Sequence, residues 1–352
     1  MNEKKWTITL VSAVLLTLAC FAGVMYWLDP LLNYRAESGP LTCYVYTERY
    51  SNPGIAKHYE YDAVMVGSSM IRNTNVDLCD ELWECDLVRL PYSGATSYNM
   101  TTILDLCFGS DNDIKTVYWE LDQFQLTGSA TEPIDPLPMY LYRSDHKEDA
   151  SYLLNLDIFY QYGVKNIKGT LKGVKKSAER REVTLKYEKP MSEVLAEYDR
   201  SEVSEEMEDF ETSMKPTVDA NLDNIERVVK ENQETEFVFF MVPFSVLHWD
   251  VEVRCGRFDA LMDANAYAME RLLKYDNVKI YCYMQEEEII TNMDNYIDIT
   301  HYGNWINDKI TEYVAEDKNR MTVDNYQTTI QNMKDFIHGY DYEALLEQKV
   351  SY

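Results

Sequence analysis

Basic side chains are few in this sequence. Lys and Arg together number 33, against 60 Asp and Glu, and the formal net charge is −27. A surface that is negative over most of its area repels a phosphate backbone, so the composition argues against a nucleic-acid-binding protein. Histidine is also scarce, with five residues in the chain, which leaves few candidates for a general base.

Cysteine pairs at metal-binding spacing are absent. None of the seven cysteines belongs to a CxxC pair, which gives no support to a zinc site or a thioredoxin-like site. Cys20 lies in an apolar segment. The other six permit disulfides without fixing their pairing, and buried free thiols are the alternative. The sequence gives no reason to expect a metal ion or a cofactor.

One long apolar run stands at the N-terminus. Residues 6–28, WTITLVSAVLLTLACFAGVMYWL, carry no charge and are long enough to span a bilayer as a helix. Lys4 and Lys5 precede this run, so the positive-inside rule predicts a cytoplasmic N-terminus and an extracytoplasmic remainder. A cleaved signal peptide is the alternative, but its apolar core is ordinarily only about 7–15 residues long. We expect a cytoplasmic tail at 1–5 and a single-pass anchor in the cell membrane at 6–28.

The rest of the chain alternates strand-like and helix-like segments. Short apolar runs predict strands at 61–67, 85–94, 116–122, 236–243 and 277–284. Apolar residues at helical spacing predict helices at 97–108, 218–233, 258–276 and 303–317. This alternation predicts an α/β fold, a three-layer sandwich with a mainly parallel sheet.

Residues 130–217 interrupt the alternation and are expected to form a helical insertion beside the site. A basic face recurs within them at near-helical spacing, opposite Ile167, Leu171 and Val174. Its members are Lys165, Lys168, Lys172, Lys175 and Lys176. A solvated helix face is the ordinary interpretation of such a pattern, and contact with anionic lipid or an anionic glycan is the alternative.

Two adjacent serines follow the first predicted strand, in AVMVGSSMIRN at 63–73. The carboxyl ends of parallel strands form the edge at which α/β proteins place their sites, and a glycine there permits a tight turn. A serine hydroxyl is a weak nucleophile by itself and needs a neighbouring base. The five histidines therefore decide whether the serines are a candidate active site.

Two histidines have an aspartate three residues before them. Asp298 and His301 lie between a predicted strand and the helix at 303–317, which puts them at the same sheet edge as the serines. Asp335 and His338 lie within a helical pattern, where residues three apart are simply neighbours on one face. We therefore favour His301 as the base, and we expect His248 to pack near the pocket rather than to act.

This order of motifs resembles the SGNH/GDSL hydrolase superfamily over roughly residues 58–127 and 218–317. The similarity is greatest to its membrane-anchored branch, which includes the D-alanyl transfer protein of teichoic acid alanylation and the alginate O-acetylation proteins. The resemblance implies that Ser69 is the nucleophile of a catalytic triad with His301 and Asp298. It also implies that the N–H groups of Ser69 and Gly94 form the oxyanion hole.

The third block departs from that family's pattern. Many members carry an asparagine in a GxND stretch where this chain has WELDQF, with Asp122 nearest the place. An ionised carboxylate accepts hydrogen bonds and cannot donate one, so Asp122 is a doubtful member of the oxyanion hole. Ser68, Arg72 and Asn73 lie near the turn and are candidate donors and pocket residues.

These observations predict an SGNH-like domain at 58–317 that contains the insertion at 130–217, with a linker at 29–57 and a C-terminal helical extension at 318–352. The expected function is an extracytoplasmic serine esterase or O-acyltransferase that acts, through an acyl-enzyme, on acyl esters of a cell-surface or exported glycan. The expected partners are the membrane, the acylated polymer and a membrane-bound O-acyltransferase. A non-catalytic glycan-binding or assembly protein on the same fold is the alternative.

Overall fold

Six strands form one sheet. The structure, a computed structural model, describes residues 3–37, 39–145, 147–179, 189–200 and 202–347. The strands are β1 (Ala63–Gly67), β2 (Leu87–Pro91), β3 (Thr116–Glu120), β4 (Glu236–Met241), β5 (Val278–Cys282) and β6 (Arg320–Met321). Their order is β2-β1-β3-β4-β5-β6; the first five strands are parallel and β6 runs antiparallel to β5. The prediction of an α/β fold with a mainly parallel sheet is confirmed.

This strand order places β1 between β2 and β3. The chain leaves β1 toward one side of the sheet and returns past it to the other, so β1 and β3 flank the point at which the order reverses. Gly67 at the end of β1 pairs with Pro91 at the end of β2. The carboxyl ends of the parallel strands therefore lie along one edge, where α/β proteins place ligands.

In the described ranges, helices lie in the connections between strands, before β1 and after β6. They are α1 (Glu3–Leu28), α2 (Glu48–His58), α3 (Val76–Trp83), α4 (Ser97–Phe108), α5 (Gln123–Thr127), α6 (Asp149–Leu153), α7 (Leu156–Ile158), α8 (Val164–Leu171), α9 (Met191–Glu197), α10 (Lys215–Glu231), α11 (Val246–Arg254), α12 (Phe258–Leu272), α13 (Glu287–Ile290), α14 (Asn304–Ala315), α15 (Tyr326–Gly339) and α16 (Tyr342–Glu347). Short 3₁₀ turns occur at Ser69–Ile71 and Met293–Asn295, and π turns at Phe159–Gly163 and Phe210–Met214.

The apolar spacing of the sequence explains these elements. In α10, Val218, Leu222, Ile225 and Val229 recur every three or four residues and are all buried, which makes one face of the helix part of the core. The central strand β1 is buried along its whole length. A strand buried on both faces reads as an unbroken apolar run, as its sequence AVMVG does.

Packing divides the chain into two compact units. The first comprises Met1–Glu60, Asp105–Asp111 and Pro136–Arg180, and the second comprises Tyr61–Leu104, Asn112–Asp135 and Arg181–Tyr352. The second unit holds the whole sheet. The predicted insertion at 130–217 is divided between the two units, and the domain boundaries drawn from the sequence stay a prediction.

Helix α1 belongs to the first unit and contains the predicted anchor. Within the described ranges it is the one helix long and apolar enough to cross a membrane, and it is almost wholly exposed. A signal sequence near the N-terminus can meet the same criteria of length and composition, and the orientation of α1 is not fixed by the fold. The seven cysteines all lie in described ranges and are free thiols.

Candidate active site

The turn after β1 carries the two adjacent serines. β1 ends at Gly67, and the 3₁₀ turn at Ser69–Ile71 begins directly after Ser68. The Ser68 hydroxyl accepts a hydrogen bond from the Met70 N–H and so caps the turn. Ser69 is partly exposed at the carboxyl end of a central strand. We call residues 67–71 the serine turn.

A short closed loop carries the Asp-x-x-His motif. Tyr296 and Tyr302 pair across its base. Inside the loop, Asp298 Oδ1 accepts the N–H groups of Thr300 and His301, each at 2.7 Å. One carboxylate oxygen therefore fixes the loop backbone and leaves the other oxygen for the imidazole. We call residues 296–302 the histidine loop.

The serine turn and the histidine loop bring Ser69, His301 and Asp298 together. Ser69 Oγ lies 2.8 Å from His301 Nε2, across 232 residues of chain. His301 Nδ1 lies 2.8 Å from Asp298 Oδ2. The Asn307 amide, on the helix that follows the histidine loop, donates to the Met70 carbonyl at 3.1 Å. Helix α14 is therefore tied to the serine turn and braces the contact.

The charge of Asp298 sets the tautomer of His301. Burial alone would raise the pKa of Asp298, but hydrogen bonds from the His301 ring, the His301 N–H and the Thr300 N–H lower this pKa below its usual value. An ionised carboxylate only accepts, so Nδ1 carries the proton and Nε2 presents its lone pair to the Ser69 hydroxyl. An imidazole held in this way can take the proton of a serine as the oxygen attacks.

Ser69 and His301 face a cleft of about 140 Å³, which is also lined by Met70, Arg72, Asn73, Ile297 and Tyr302. The structure thus brings the candidates Arg72 and Asn73 to the same cleft as Ser69. Asn73 is partly exposed in this cleft, and its side-chain amide carries two N–H donors. The sequence reasoning missed Met70, Ile297 and Tyr302, whose apolar character resembles that of any core residue.

Ser68 lies away from this cleft, although the sequence makes it a candidate pocket residue. Its side chain is buried. Its N–H donates to Glu120 Oε2 at 2.7 Å, and its hydroxyl is hydrogen-bonded to Asp122. Ser68 therefore ties the serine turn to the end of β3.

A buried glutamate supports the serine turn. Glu120, the last residue of β3, is fully buried, and its Oε1 has no hydrogen-bond partner among the described residues. A Cβ atom on Gly67 would lie 2.6 Å from Glu120 Cβ and 2.7 Å from Glu120 Oε2, so glycine is the residue that fits before the serines. The sequence reasoning missed Glu120. The available signal was a charged residue at the end of the apolar strand TVYWE.

Asp122 caps helix α5. Its Oδ1 accepts the N–H groups of Phe124 and Gln125 at 2.9 and 3.1 Å. Burial raises the pKa of Asp122 to about 6, and burial together with the Asp122 charge raises the pKa of Glu120 well above its usual value. The observed contacts of Asp122 are those of a helix cap, and its candidacy for the oxyanion hole stays a prediction.

Gly94 lies on the loop after β2. The loop starts beside the serine turn, because the Tyr92 N–H donates to the Gly67 carbonyl at 2.8 Å. Gly94 has φ of +67°, and a Cβ atom there would lie 2.9 Å from Ile134 Cδ1. The positive φ favours glycine at this position, whereas the exposed Ile134 side chain could move aside; the proposed role of the Gly94 N–H stays a prediction.

The other two histidines of the second unit, His248 and His338, have partners other than Ser69 and Asp298. His248 is buried, and its ring stacks on Phe244 with centroids 4.5 Å apart. Burial lowers the pKa of His248 to about 3, so the ring is neutral. His338 Nε2 lies 3.0 Å from Asp259 Oδ1 rather than beside Asp335. Within the described ranges, no group of three His, Cys, Asp or Glu side chains is arranged to hold a metal ion.

Comparisons with known proteins add little to this geometry. No protein-family model matches the chain, and no curated protein matches it. A solved structure from Streptococcus pneumonia, named provisionally as a platelet activating factor, has a TM-score of 0.36 and 11% identity over 82% of this chain and 91% of its own. A likeness at that level carries no argument about function.

Proposed function

We propose that this chain is a serine-dependent acyl-ester enzyme, either an esterase or an O-acyltransferase. The observation that carries the proposal is the hydrogen-bonded chain from Ser69 Oγ through His301 to Asp298, with both contacts at 2.8 Å. A serine, an imidazole of fixed tautomer and an ionised carboxylate in this order are the parts of a Ser-His-Asp triad. The adjoining cleft provides room for an acyl group next to Ser69 Oγ.

The reaction has two steps. Ser69 Oγ attacks the ester carbonyl while His301 Nε2 takes the hydroxyl proton. The bond to the leaving alcohol then breaks, and His301 returns the proton to the alcohol oxygen, which leaves the acyl group on Ser69. In the second step, water or a sugar hydroxyl attacks the acyl carbonyl and loses its proton to His301. The bond from the acyl carbon to Ser69 Oγ then breaks, and His301 returns the proton to Ser69 Oγ, which releases the acid or the new ester. The N–H groups of Ser69 and Gly94, with the Asn73 amide, are the proposed donors to the oxyanion.

The fold supports assignment to an SGNH-like three-layer sandwich. With the right-handed crossovers that parallel strands almost always have, the order β2-β1-β3-β4-β5 would carry the first connecting helix to one face of the sheet and the later ones to the other. Helix α3 packs on α14, and α10 packs on α12, as two separate helical layers would. The nucleophile after the first strand and the Asp-x-x-His motif after the fifth follow the order of that superfamily.

The location and substrate are part of the same proposal. Helix α1 would anchor the chain, and Lys4 and Lys5 before it favour a cytoplasmic N-terminus and an extracytoplasmic site. A site tethered outside the membrane suits acyl esters on a cell-surface or exported glycan, with a membrane-bound O-acyltransferase as the supplier of acyl groups. The proposal requires no cofactor.

The test uses the full chain in detergent micelles, with p-nitrophenyl acetate and a fluorophosphonate probe. Ser69→Ala and His301→Ala should each abolish turnover and labelling. His338→Ala is the matched control, because His338 also follows an aspartate by three residues but bonds to Asp259, and it should behave as wild type. A wild-type protein that neither labels nor turns over would refute the enzyme. It would favour the alternative, a non-catalytic glycan-binding or assembly protein, for which the aspartate at position 122 is the motivating feature.

A further inference from the structure

One stretch of the first unit exposes apolar side chains and lysines together. Outside α1, five of the large apolar side chains that are exposed in the described ranges fall between residues 154 and 174. They are Leu154, Leu156, Tyr160, Leu171 and Val174. Leu171 is 81% exposed and Tyr160 is 62% exposed, so most of each side chain is in contact with solvent and is not part of a core. Such clustering marks an interaction surface.

Exposed lysines occur on the same stretch. Helix α8 ends at Leu171, and Gly173, with φ of +74°, then turns the chain. Lys165, Lys168 and Lys172 are exposed, as Leu171 is, whereas Ile167 packs on the core of the first unit. On a chain with a net charge of −27, this is a local concentration of positive charge. We call residues 154–175 the basic-apolar patch.

A direct contact fixes the patch relative to helix α1. The rings of Phe159 and Phe21 meet edge to face with centroids 5.4 Å apart. Phe21 precedes Trp27 by six residues, which is about 9 Å of helix. The patch is therefore held alongside the last turns of α1, within the same unit.

The pattern of exposure along α1 agrees with a membrane boundary at this height. Residues 3–20 are exposed all round, and packing begins at Phe21. The uncharged run starts at Trp6, after Glu3, Lys4 and Lys5. Trp6 and Trp27 stand about 31 Å apart along the helix, the spacing of the two aromatic belts, so Phe21 lies about 9 Å inside the belt at Trp27. An interfacial segment buries its apolar face about 5–10 Å deep, which matches this position.

We propose that the basic-apolar patch lies in the membrane interface and binds anionic phospholipid. Leu156, Tyr160 and Leu171 insert at the boundary between headgroups and acyl chains, and the lysines contact headgroup phosphates. The proposal rests on α1 lying in a bilayer, as in the proposed function. The patch carries one exposed carboxylate, Asp157, whose repulsion the lysines outweigh in number. The patch is then a second membrane contact besides α1, and the two contacts together fix the tilt of the first unit on the membrane surface.

The experiment places the full chain in nanodiscs of phosphatidylcholine alone or with about one third phosphatidylglycerol, a proportion that gives a negative surface. Lysine acetylation by a water-soluble reagent is followed by mass spectrometry, and a lipid with a diazirine in its acyl chain maps apolar contact. We expect Lys165, Lys168 and Lys172 to react about tenfold more slowly in the anionic discs. Lys274, exposed in the second unit, should react equally in both.

A pair of variants separates insertion from general charge effects. Leu156→Asp with Leu171→Asp should remove both the lysine protection and the crosslinks to residues 154–174, because both side chains are exposed and their loss leaves the core intact. Val323→Asp, at an exposed apolar residue of the second unit, should leave both signals unchanged.

The outcomes that overturn the inference are distinct from failure of the enzyme. Crosslinks confined to α1, with equal lysine reactivity in both discs, overturn the patch and leave the anchor standing. If α1 itself is not crosslinked, then α1 does not lie in the bilayer, and the inference about the patch fails because it rests on that position. Protection by a soluble anionic polysaccharide without protection by anionic lipid also overturns it. None of these readouts depends on Ser69, so esterase activity is judged separately.

Discussion

Replacement of Glu120 by glutamine tests the buried acid behind the serine turn. Burial, with the neighbouring Asp122 charge, raises the pKa of Glu120 above the 4.5 of a free side chain, so the folded protein keeps a proton that the unfolded chain releases. Stability from this group is fully present below that pH and is lost as the pH rises toward the raised pKa. The loss is about 1.4 kcal/mol for each pH unit over which the folded protein keeps this proton and the unfolded chain does not.

Glu120→Gln removes this titration and keeps the size of the side chain. The glutamine oxygen can accept the Ser68 N–H in place of Oε2, and the amide nitrogen replaces Oε1, which has no partner among the described residues. His248 titrates with the opposite sign, since its pKa is lowered to about 3, but its contribution is confined to pH values below about 6.5. Above pH 6.5 the His248 contribution is constant, and the contributions of Asp122, with a pKa of about 6, and Lys57, with a pKa lowered to about 8, are common to wild type and variant, so the difference between the two proteins reports on Glu120.

The assay is denaturant unfolding of the full chain in detergent, followed by tryptophan fluorescence; Trp119 on β3 is a buried reporter beside the site. We expect wild type to lose more stability than Glu120→Gln as the pH rises from 6.5 to 8, by up to about 1.4 kcal/mol for each pH unit. Glu234→Gln, at an exposed glutamate, should follow wild type. Equal losses in wild type and Glu120→Gln would mean that Glu120 is already ionised in the folded protein, and the reasoning would fail.

Three further changes probe the site. Gly67→Ala drives a methyl group into Glu120 and should lower the free energy of unfolding by about 1–3 kcal/mol in urea titrations, whereas Gly339→Ala, with open space around it, should not; equal effects would contradict the packing argument. Asp298→Asn keeps an acceptor for the loop N–H groups but loses the charge that sets the tautomer, so kcat/KM for p-nitrophenyl acetate should fall about 10³- to 10⁴-fold; a near-normal rate would remove Asp298 from the triad. Asn73→Ala should lower kcat by about 100-fold with KM little changed, and an effect on KM alone would make Asn73 a binding residue instead of an oxyanion donor.

Local signals in the sequence were enough to predict the five parallel strands and to choose Ser69 and His301 as candidates, but not the two-residue strand β6, which lies in the predicted helical extension. A buried parallel strand is an unbroken apolar run, and its end is marked by the first glycine or proline, as at Gly67. His301 could be separated from His338 because one follows a strand and the other lies in a helical pattern. The cap at Asp122 was also readable, since Asp followed by Gln three residues later, as in DQFQ, resembles a capping box.

The remaining features depend on contacts that no local pattern encodes. Nothing in the order of residues says that the carboxylate of Glu120 meets the backbone of Ser68, because β1 and β3 become neighbours only through the sheet order. That one contact accounts for three sequence features at once: glycine at 67, a serine at 68 that is turned inward, and a glutamate at the end of an apolar strand. The residues around the nucleophile are therefore constrained from behind, by packing and hydrogen bonding. Ser69 faces the cleft instead, and its hydroxyl is hydrogen-bonded to His301 and not to Glu120 or Asp122.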